Sequence, residues 1–266
     1  VVVRSTTVQD EGLPLGWDFV AGVDLGGEHV SSDGPNPGGL LGQSYVAVDQ
    51  SDGPTRGNVY FLNSVDPPGD DPLDVMFARS TDGGATWSDP VRVNDDPPGT
   101  NAWQWFGTMA VASNGRIDVI WADTRADPGG YDSEVYYACS EDAGQTWSEN
   151  VAVSPAFDPH IGWPDQDKIG DYYDMVSDPL GAHVAYSATF NGEQDVYYLR
   201  IGDRDCDRNG VGDASDMATG LLDDCDGDGV PDLCAVAAGA VPDSDADGRP
   251  DACERPRTPS RRLLPE

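Results

Sequence analysis

Between residues 40 and 201 the apolar positions fall in short runs, with β-branched and aromatic side chains alternating with small or polar ones. That period of two is the pattern of half-buried strands. One set of runs reads Tyr45-Val-Ala-Val-Asp49, Met109-Ala-Val-Ala-Ser113 and Tyr173-Asp-Met-Val-Ser177, with successive starts 64 residues apart. A second strand follows each of these: Asn58-Val-Tyr-Phe-Leu62, Ile117-Asp-Val-Ile-Trp121 and His183-Val-Ala-Tyr186. A third comes next, at Val75-Met-Phe-Ala78, Val135-Tyr-Tyr-Ala138 and Val196-Tyr-Tyr-Leu199. The first two units add a short fourth strand, Val91-Arg-Val-Asn94 and Val151-Ala-Val-Ser154.

Four short strands per unit at a long fixed period predict the blades of a β-propeller. Between strands three and four lie two matching turns, Ser80-Thr-Asp-Gly-Gly-Ala-Thr-Trp87 and Ser140-Glu-Asp-Ala-Gly-Gln-Thr-Trp147, both of the form S-x-D-x-G-x-T-W and 60 residues apart. Ser and Asp side chains satisfy turn amides, Gly supplies positive φ, and Trp seals the blade. On these residues the segment resembles the sialidase-type Asp-box propellers (BNR repeats) over roughly 160 residues. The resemblance implies that the boxes lie on the face away from any active site, so that Asp82 and Asp142 are structural. Val1-Val-Val-Arg-Ser5 reads like a fourth strand, which makes residues 1–39 the end of a preceding blade and a long connecting loop. Three blades fall short of the roughly four to eight of a closed ring, so missing blades or a further copy are expected to complete it.

After Gly202 the pattern changes. Asp205-Cys-Asp-Arg-Asn-Gly-Val-Gly-Asp213, Asp224-Cys-Asp-Gly-Asp-Gly-Val-Pro-Asp232 and Asp243-Ser-Asp-Ala-Asp-Gly-Arg-Pro-Asp251 repeat with a period of 19. Oxygen-bearing side chains at positions 1, 3, 5 and 9, with Gly at 6 to turn the chain, reproduce the start of an EF-hand loop. The candidate Ca2+ ligands are therefore Asp205, Asp207, Asn209 and Asp213, then Asp224, Asp226, Asp228 and Asp232, then Asp243, Asp245, Asp247 and Asp251. Position 12 adds Asp216 and Glu254 in the outer copies but is Ala235 in the middle one. With no helices expected around the loops, residues 202–254 resemble a thrombospondin type 3 or dockerin-like calcium array. Residues 255–266 read as a disordered tail or linker.

Cysteines share this register: Cys206 and Cys225 at position 2, Cys234 and Cys253 at position 11. Pairing 206–225 with 234–253 gives two equivalent bridges and is favoured, although four cysteines allow three connectivities. Cys139 is left over on an apolar strand and reads as a buried thiol.

Composition narrows the classes further. The 266 residues carry 48 acidic against 15 basic side chains, a formal charge of −33, with 32 Gly and 21 Pro. Asp outnumbers Glu 40 to 8 and Lys168 is the single lysine, a bias toward turns and calcium loops that excludes a helical bundle. A nucleic-acid partner is excluded for want of a basic face, and no apolar run reaches the roughly 18–20 residues of a membrane span. Five cysteines, four of them in the last third of the chain, point to an oxidising or a metal-rich compartment, and the protein is read as secreted or at the cell surface. The chain starts at Val1 with no signal peptide and is read as processed or truncated. The fold class is thus all-β, a partial propeller of about three four-stranded blades (40–201) followed by a small Asp-rich calcium module (202–254).

In such an array the 2→3 and 4→1 loops open on the face opposite the Asp boxes. That face gathers Asp123, Arg125, Trp103, Trp105 and the segment from Pro155 to Asp171, with His160, Trp163, Asp165, Asp167 and Lys168, then Tyr172. Aromatic planes beside carboxylates and an arginine suit a sugar, which makes Trp103, Trp105, Trp163 and Arg125 the carbohydrate-binding candidates. The sialidase resemblance implies three clamp arginines, a tyrosine nucleophile and an aspartate acid/base. Arg125 is one candidate clamp, Tyr172 or Tyr173 the nucleophile, and Asp123, Asp165 or Asp171 the acid. Arg79 and Arg92 are assigned to the Asp-box face and Arg56 to a 1→2 loop, so no clamp triad assembles. For each candidate a structural role competes: Asp123 and Arg125 as an internal ion pair, Tyr172 as core, His160 as a loop residue.

Three functions remain open: a secreted, calcium-dependent propeller that binds extracellular glycans or glycoproteins; a sialidase-type glycoside hydrolase; and a structural protein assembling into fibres or a surface layer.

Overall fold

A computed structural model describes residues 1–30, 34–162, 168–170 and 172–254, and the chain divides into two compact units, 1–201 and 202–266. The first unit is all β. Strands β1 (Val2–Arg4) and β2 (Phe19–Ala21) form a hairpin, and β3 (Tyr45–Val48), β4 (Val59–Val65), β5 (Asp74–Ser80) and β6 (Val91–Arg92) form the first blade. The second blade is β7 (Gln104–Val111), β8 (Ile117–Asp123), β9 (Glu134–Ser140) and β10 (Val151–Ala152), and the third is β11 (Asp174–Asp178), β12 (Gly181–Ala188) and β13 (Asp195–Gly202). Strands within each blade are antiparallel and in sequence order, as the repeat predicts.

Alternation along the second strands explains how the blades stack. In β8, Ile117, Val119 and Trp121 join a cluster with Tyr60, Leu62, Val75 and Phe77 of the first blade. The intervening Ile120 and Ala122 join a second cluster with Met175, Val184 and Tyr186 of the third. β8 is therefore buried on both faces, and one strand sequence with a period of two serves two interfaces. β4 behaves alike, with Tyr60 and Leu62 facing the second blade while Phe61 and Val65 meet Val2 and Val23 of the N-terminal segment.

That hairpin corrects one expectation. Val1–Ser5 does not stand as a fourth strand, because β1 pairs with β2 at Val2↔Ala21 and Arg4↔Phe19. The amide of Asp18 donates to the Arg4 carbonyl at 2.8 Å, as Ser88 does to Arg79 and Ser148 to Cys139 across the two Asp-box turns. Arg4 Nη1 also donates to the Gly83 carbonyl, and Arg79 Nη1 to Ala143, the same position of the next box. β1 and β2 thus pair as the third and fourth strands of the blades that follow do, joined by a long turn in the place of the box turn. Three apolar residues and an arginine suit either strand, and only the pairing distinguishes them.

The two S-x-D-x-G-x-T-W turns, called Asp boxes for their sequence alone, are closed hydrogen-bond units. Asp82 accepts from Ser80 Oγ, the amides of Ala85 and Thr86, and Thr86 Oγ1 at 2.6 Å, and Asp142 repeats the set with Ser140, Gln145 and Thr146. Trp147 then lies edge-on against Phe77 of the neighbouring blade. Cys139 is free and half-buried.

The second unit is three loops. Contrary to the sequence expectation, short helices follow the first two, α1 (Asp213–Thr219) and α2 (Asp232–Ala237), and a 3-10 turn, Asp251–Cys253, follows the third. The position 9 aspartate opens each helical turn, where a carboxylate suits the helix dipole. Its side chain also accepts the amide of position 2 in the same loop: Cys206 to Asp213, Cys225 to Asp232 and Ser244 to Asp251, at 2.9, 3.1 and 2.7 Å. The bridges are Cys206–Cys234 and Cys225–Cys253, not 206–225 and 234–253. Each joins position 2 of one repeat to position 11 of the next, over 28 residues and a Cα separation of 5.9 Å, well within disulfide reach. The helical turn after each loop is what brings position 11 back to the preceding loop.

Candidate functional site

On the face opposite the Asp boxes, the 2→3 and 4→1 loops of the first two blades build a connected ionic network. Arg92 is part of it, which corrects its assignment to the Asp-box face. β6 runs away from the box, so Arg92 reaches the far end of β5, with Nε 2.6 Å from Asp74 and Nη2 3.2 Å from Asp96. Arg79 does lie at the box, bonded to Ala143, and Arg56 binds the carbonyls of Gln50 and Ser51 in its 1→2 loop.

Arg125 comes from the 2→3 loop of the second blade. Its guanidinium meets Asp123 at 2.8 Å and Asp95 at 2.7 Å, donates to Asn150 and lies 4.3 Å from the Tyr136 ring centroid. Asp96 links the arginines, 3.7 Å from Arg125 and 3.2 Å from Arg92. Asn94 donates to both Asp74 and Asp96, and Asp71 accepts the amide of Gly99.

Burial decides what these groups are fit for. Asp123 is 0 % exposed and also accepts from Trp121 Nε1 at 2.7 Å and Gln104 Nε2. Desolvation raises its carboxyl above the usual range against the opposing pull of Arg125 and Trp121, yet no substrate reaches it. For Asp95, desolvation is outweighed by the Asn150 amide and Arg125, and its carboxyl is lowered; it is the exposed member, at 47 % of its side chain. Asp71 is raised, chiefly by desolvation, and its Oδ1 has no partner. Asp95, Asp96, Pro97, Thr100, Arg125 and Pro128 line an open cavity of about 360 Å³.

The predicted aromatic residues do not gather at this cavity. Trp105 is 0 % exposed, with Nε1 donating to Ser133 at 3.1 Å. The cause is a bulge in β7, where Phe106 takes φ 56° and the register slips between Trp105 and Thr108. Both rings then turn into the core, against each other, with Phe106 also against Tyr173. Trp103 is half-buried and pressed against Gly34, where a Cβ would strike its ring. The chain around Gly34 is tied there by His160, whose Nε2 lies 3.2 Å from the Gly34 carbonyl. Tyr173 is buried with its hydroxyl donating to Ser187, whereas Tyr172 is 82 % exposed. Trp163, Asp165, Asp167 and Asp171 lie outside the described residues. Of the sequence candidates among the described residues, only Asp123 and Arg125 meet in the network. Arg92, Asp95, Asp96 and Thr100 were missed, and the visible signal was the run Asn94-Asp-Asp-Pro-Pro-Gly-Thr100 in a 4→1 loop.

The tail offers a second candidate centre. Carboxylate oxygens of Asp224, Asp226 and Asp228 lie within 4.8 Å of one another, as do those of Asp243, Asp245 and Asp247. In the first loop Asn209 Nδ2 lies 3.1 Å from Asp207 and 2.9 Å from Asp216. The donor set is all oxygen, which fits a hard cation such as calcium. Asp213, Asp232 and Asp251 are engaged instead in closing their loops through the position 2 amides. Asp213 and Asp232 also sit beside the bridged sulfurs.

No protein-family model and no curated protein sequence matches the chain. Among solved structures, a Hadza microbial sialidase shares 16 % identity at a TM-score of 0.43, over 63 % of this chain and 37 % of its own. A Penicillium chrysogenum α-L-arabinanase shares 15 % at 0.39, over 73 % and 53 %. A family 117 glycoside hydrolase of the marine bacterium Zobellia galactanivorans shares 15 % at 0.38, over 64 % and 60 %. The chain thus spans about a third to three-fifths of these proteins. Its own antiparallel four-stranded sheets, stacked through shared cores, define the propeller-type blades. No helix among the described residues is long and apolar enough to cross a membrane.

Proposed function

We propose that this protein is an extracellular glycan-binding propeller module carrying a calcium-organised tail. The observation that carries the reading is the open cavity between Asp95, Asp96, Thr100 and Arg125. Exposed carboxylate and hydroxyl groups beside a fixed guanidinium, between proline walls, match the hydroxyls and the ring of a sugar. The solved structures of similar architecture are named as glycan-cleaving enzymes, which is in keeping with a glycan ligand. Two disulfides favour an oxidising, extracellular setting.

Binding is favoured over hydrolysis by the state of the candidate groups. Arg92 and Arg125 are each saturated by aspartates, Asp123 is sealed, and Tyr173 is core. An acid that cannot touch the glycosidic oxygen and arginines that are already neutralised do not make a hydrolytic centre. The test is a glycan array of neutral, sialylated and uronic-acid oligosaccharides with the full chain in calcium. Selective binding is expected, weakened about tenfold or more by Asp95→Ala, with no release of a sialoside chromophore. Absence of binding from a folded sample, or turnover of the sialoside, overturns this reading.

A second reading, assembly, is favoured by the third blade. Val176, Val196 and Tyr198 are exposed on the face of β11–β13 turned away from the second blade, and each equivalent face inside the molecule is covered by another blade. Further copies or other blades are the natural cover. A native mass of one chain by light scattering, in calcium and in EDTA, would count against it.

A further inference from the structure

We infer that the three tail loops divide their labour: the outer two are organised by the cation, and the middle one is organised by the disulfides and binds the cation most weakly. The inference rests on the calcium reading above and concerns what this chain's own residues do with it.

Position 12 supplies the first half of the argument. In the first repeat Asp216 is 2 % exposed, and its carboxylate reaches back to Asn209 at position 5, 2.9 Å away. A side chain at position 12 therefore points at the loop, where an EF-hand places its strongest ligand. In the third repeat that place is held by Glu254. In the middle repeat it is Ala235, 7 % exposed within α2; a methyl group offers no oxygen, and no carboxylate follows it in the helix. Counting side chains at positions 1, 3, 5 and 12, the first loop presents three carboxylates and an amide, the third presents four carboxylates, and the middle presents three. Affinity in such loops is set by ligand charge and rigidity, and the middle set is the only one without a ligand closing the far side.

The bridges supply the second half. Cys206–Cys234 and Cys225–Cys253 each cross from one repeat to the next, so the first and third repeats are each held by one bond. The middle repeat contributes both Cys225 and Cys234 and is held at position 2 and at position 11. Its position 9 aspartate also carries a buried oxygen without a partner: Asp232 is 4 % exposed, its Oδ1 takes the Cys225 amide at 3.1 Å, and its buried Oδ2 has no hydrogen-bond partner. In the third repeat the same carboxylate is satisfied twice, by the amide and the hydroxyl of Ser244. A buried carboxylate with an idle oxygen favours opening toward water, and covalent ties at both ends of the repeat are what oppose that opening. The repeat with the poorest ligand set is the one with the most cross-links.

Hydrogen exchange of the full chain, read by mass spectrometry in calcium or EDTA and with or without TCEP, separates the two kinds of support. With bridges intact, EDTA is expected to speed exchange in 205–216 and 243–254 at least about tenfold more than in 224–235. With calcium retained, TCEP is expected to deprotect 224–235 most. Equal deprotection of all three by EDTA, or a middle repeat indifferent to TCEP, overturns the division of labour. No effect of EDTA on any loop would instead refute the calcium reading beneath it. Two variants give an independent readout by calorimetric calcium titration. Glu254→Ala is expected to remove one tight site, and Ala235→Glu to strengthen the weakest by about tenfold. Because Ala235 is buried, its variant is scored only where exchange shows α2 intact. A titration in which Glu254→Ala leaves every site unchanged contradicts the assignment of position 12.

Discussion

The blades and the tail are two solutions to the cost of ordering a chain. In the blades, strands with a period of two feed stacked apolar clusters, and one strand such as β8 serves two of them. Among the described residues of the tail, the buried apolar side chains are small, Pro231, Ala235 and Pro250, far too little to offset the entropy of ordering some fifty residues. Its three loops close instead on side-chain to backbone bonds, two disulfides and clustered carboxylates. At formal charge the segment 202–254 holds 15 acidic and 3 basic residues, 3 − 15 = −12, so compaction without cations works against its own field. The lesson is that Asp does opposite work in the two regions. In the Asp boxes each carboxylate is satisfied by the turn around it. In the tail loops, carboxylates that also accept loop amides are left within 4.8 Å of one another.

The comparison is broken most severely by attacking the blade core. Trp121 is fully buried between the first two blades, with Nε1 bonded to Asp123. Trp121→Ala is expected to cost about 3–5 kcal/mol, seen as a lower denaturant midpoint of the blade transition by intrinsic fluorescence. Exchange protection of the tail should stay as it was. Loss of tail protection in the same variant would show that the two regions do not rest on separate supports.

A smaller effect sharpens the contrast between the two uses of Asp. Desolvation pushes the Asp142 carboxyl up, but bonds from Thr146, Ser140 and Gln145 outweigh it and hold it at about 2, below the ordinary 3.8. Asp82 is lowered in the same direction, with Thr86 the main cause. A folded-state value below the unfolded one contributes stability above pH 3.8, and that contribution is lost as pH falls toward 2. Blade stability should therefore decline between about pH 4 and 2, with a shallower decline in Asp142→Asn, measured by urea midpoints across that window. Identical pH profiles in the variant and the parent would remove the Asp box from the account of acid stability.

Much of this was legible along the chain because the relevant forces are local. The strands at Tyr45, Asn58 and Val75 and their later copies announce themselves by alternation, and the turns at 80–87 and 140–147 satisfy their own amides within five residues. The tail loops are equally local, with every candidate ligand inside twelve residues. The reading failed where distant pieces had to meet. Arg92 was misplaced because the direction of β6 relative to Asp74 is a matter of pairing, not of spacing. The stacking candidates failed because a single bulge at Phe106 turns Trp105 inward, and nothing in Trp103-Gln-Trp-Phe106 marks it. Asp123 and Arg125 are two residues apart and readable as a pair, yet Asp95 and Asn150, which complete their surroundings, lie 30 and 25 residues from Arg125.

By itself, then, the sequence determined the blades, the box turns, the loop register and the acidity, since each follows from a period or from hydrogen bonds that close within one turn of chain. The tertiary structure alone decided that β1 pairs with β2, that Cys206 meets Cys234, and that Arg92 and Arg125 are already neutralised by aspartates. The physical reason is common to all three. Four cysteines with equivalent neighbours, or a three-residue apolar strand, have near-equal local preferences among several partners. Only the path of the chain, through the helical turns after each loop and the stacking of blade on blade, brings one partner within bonding distance and takes the others away.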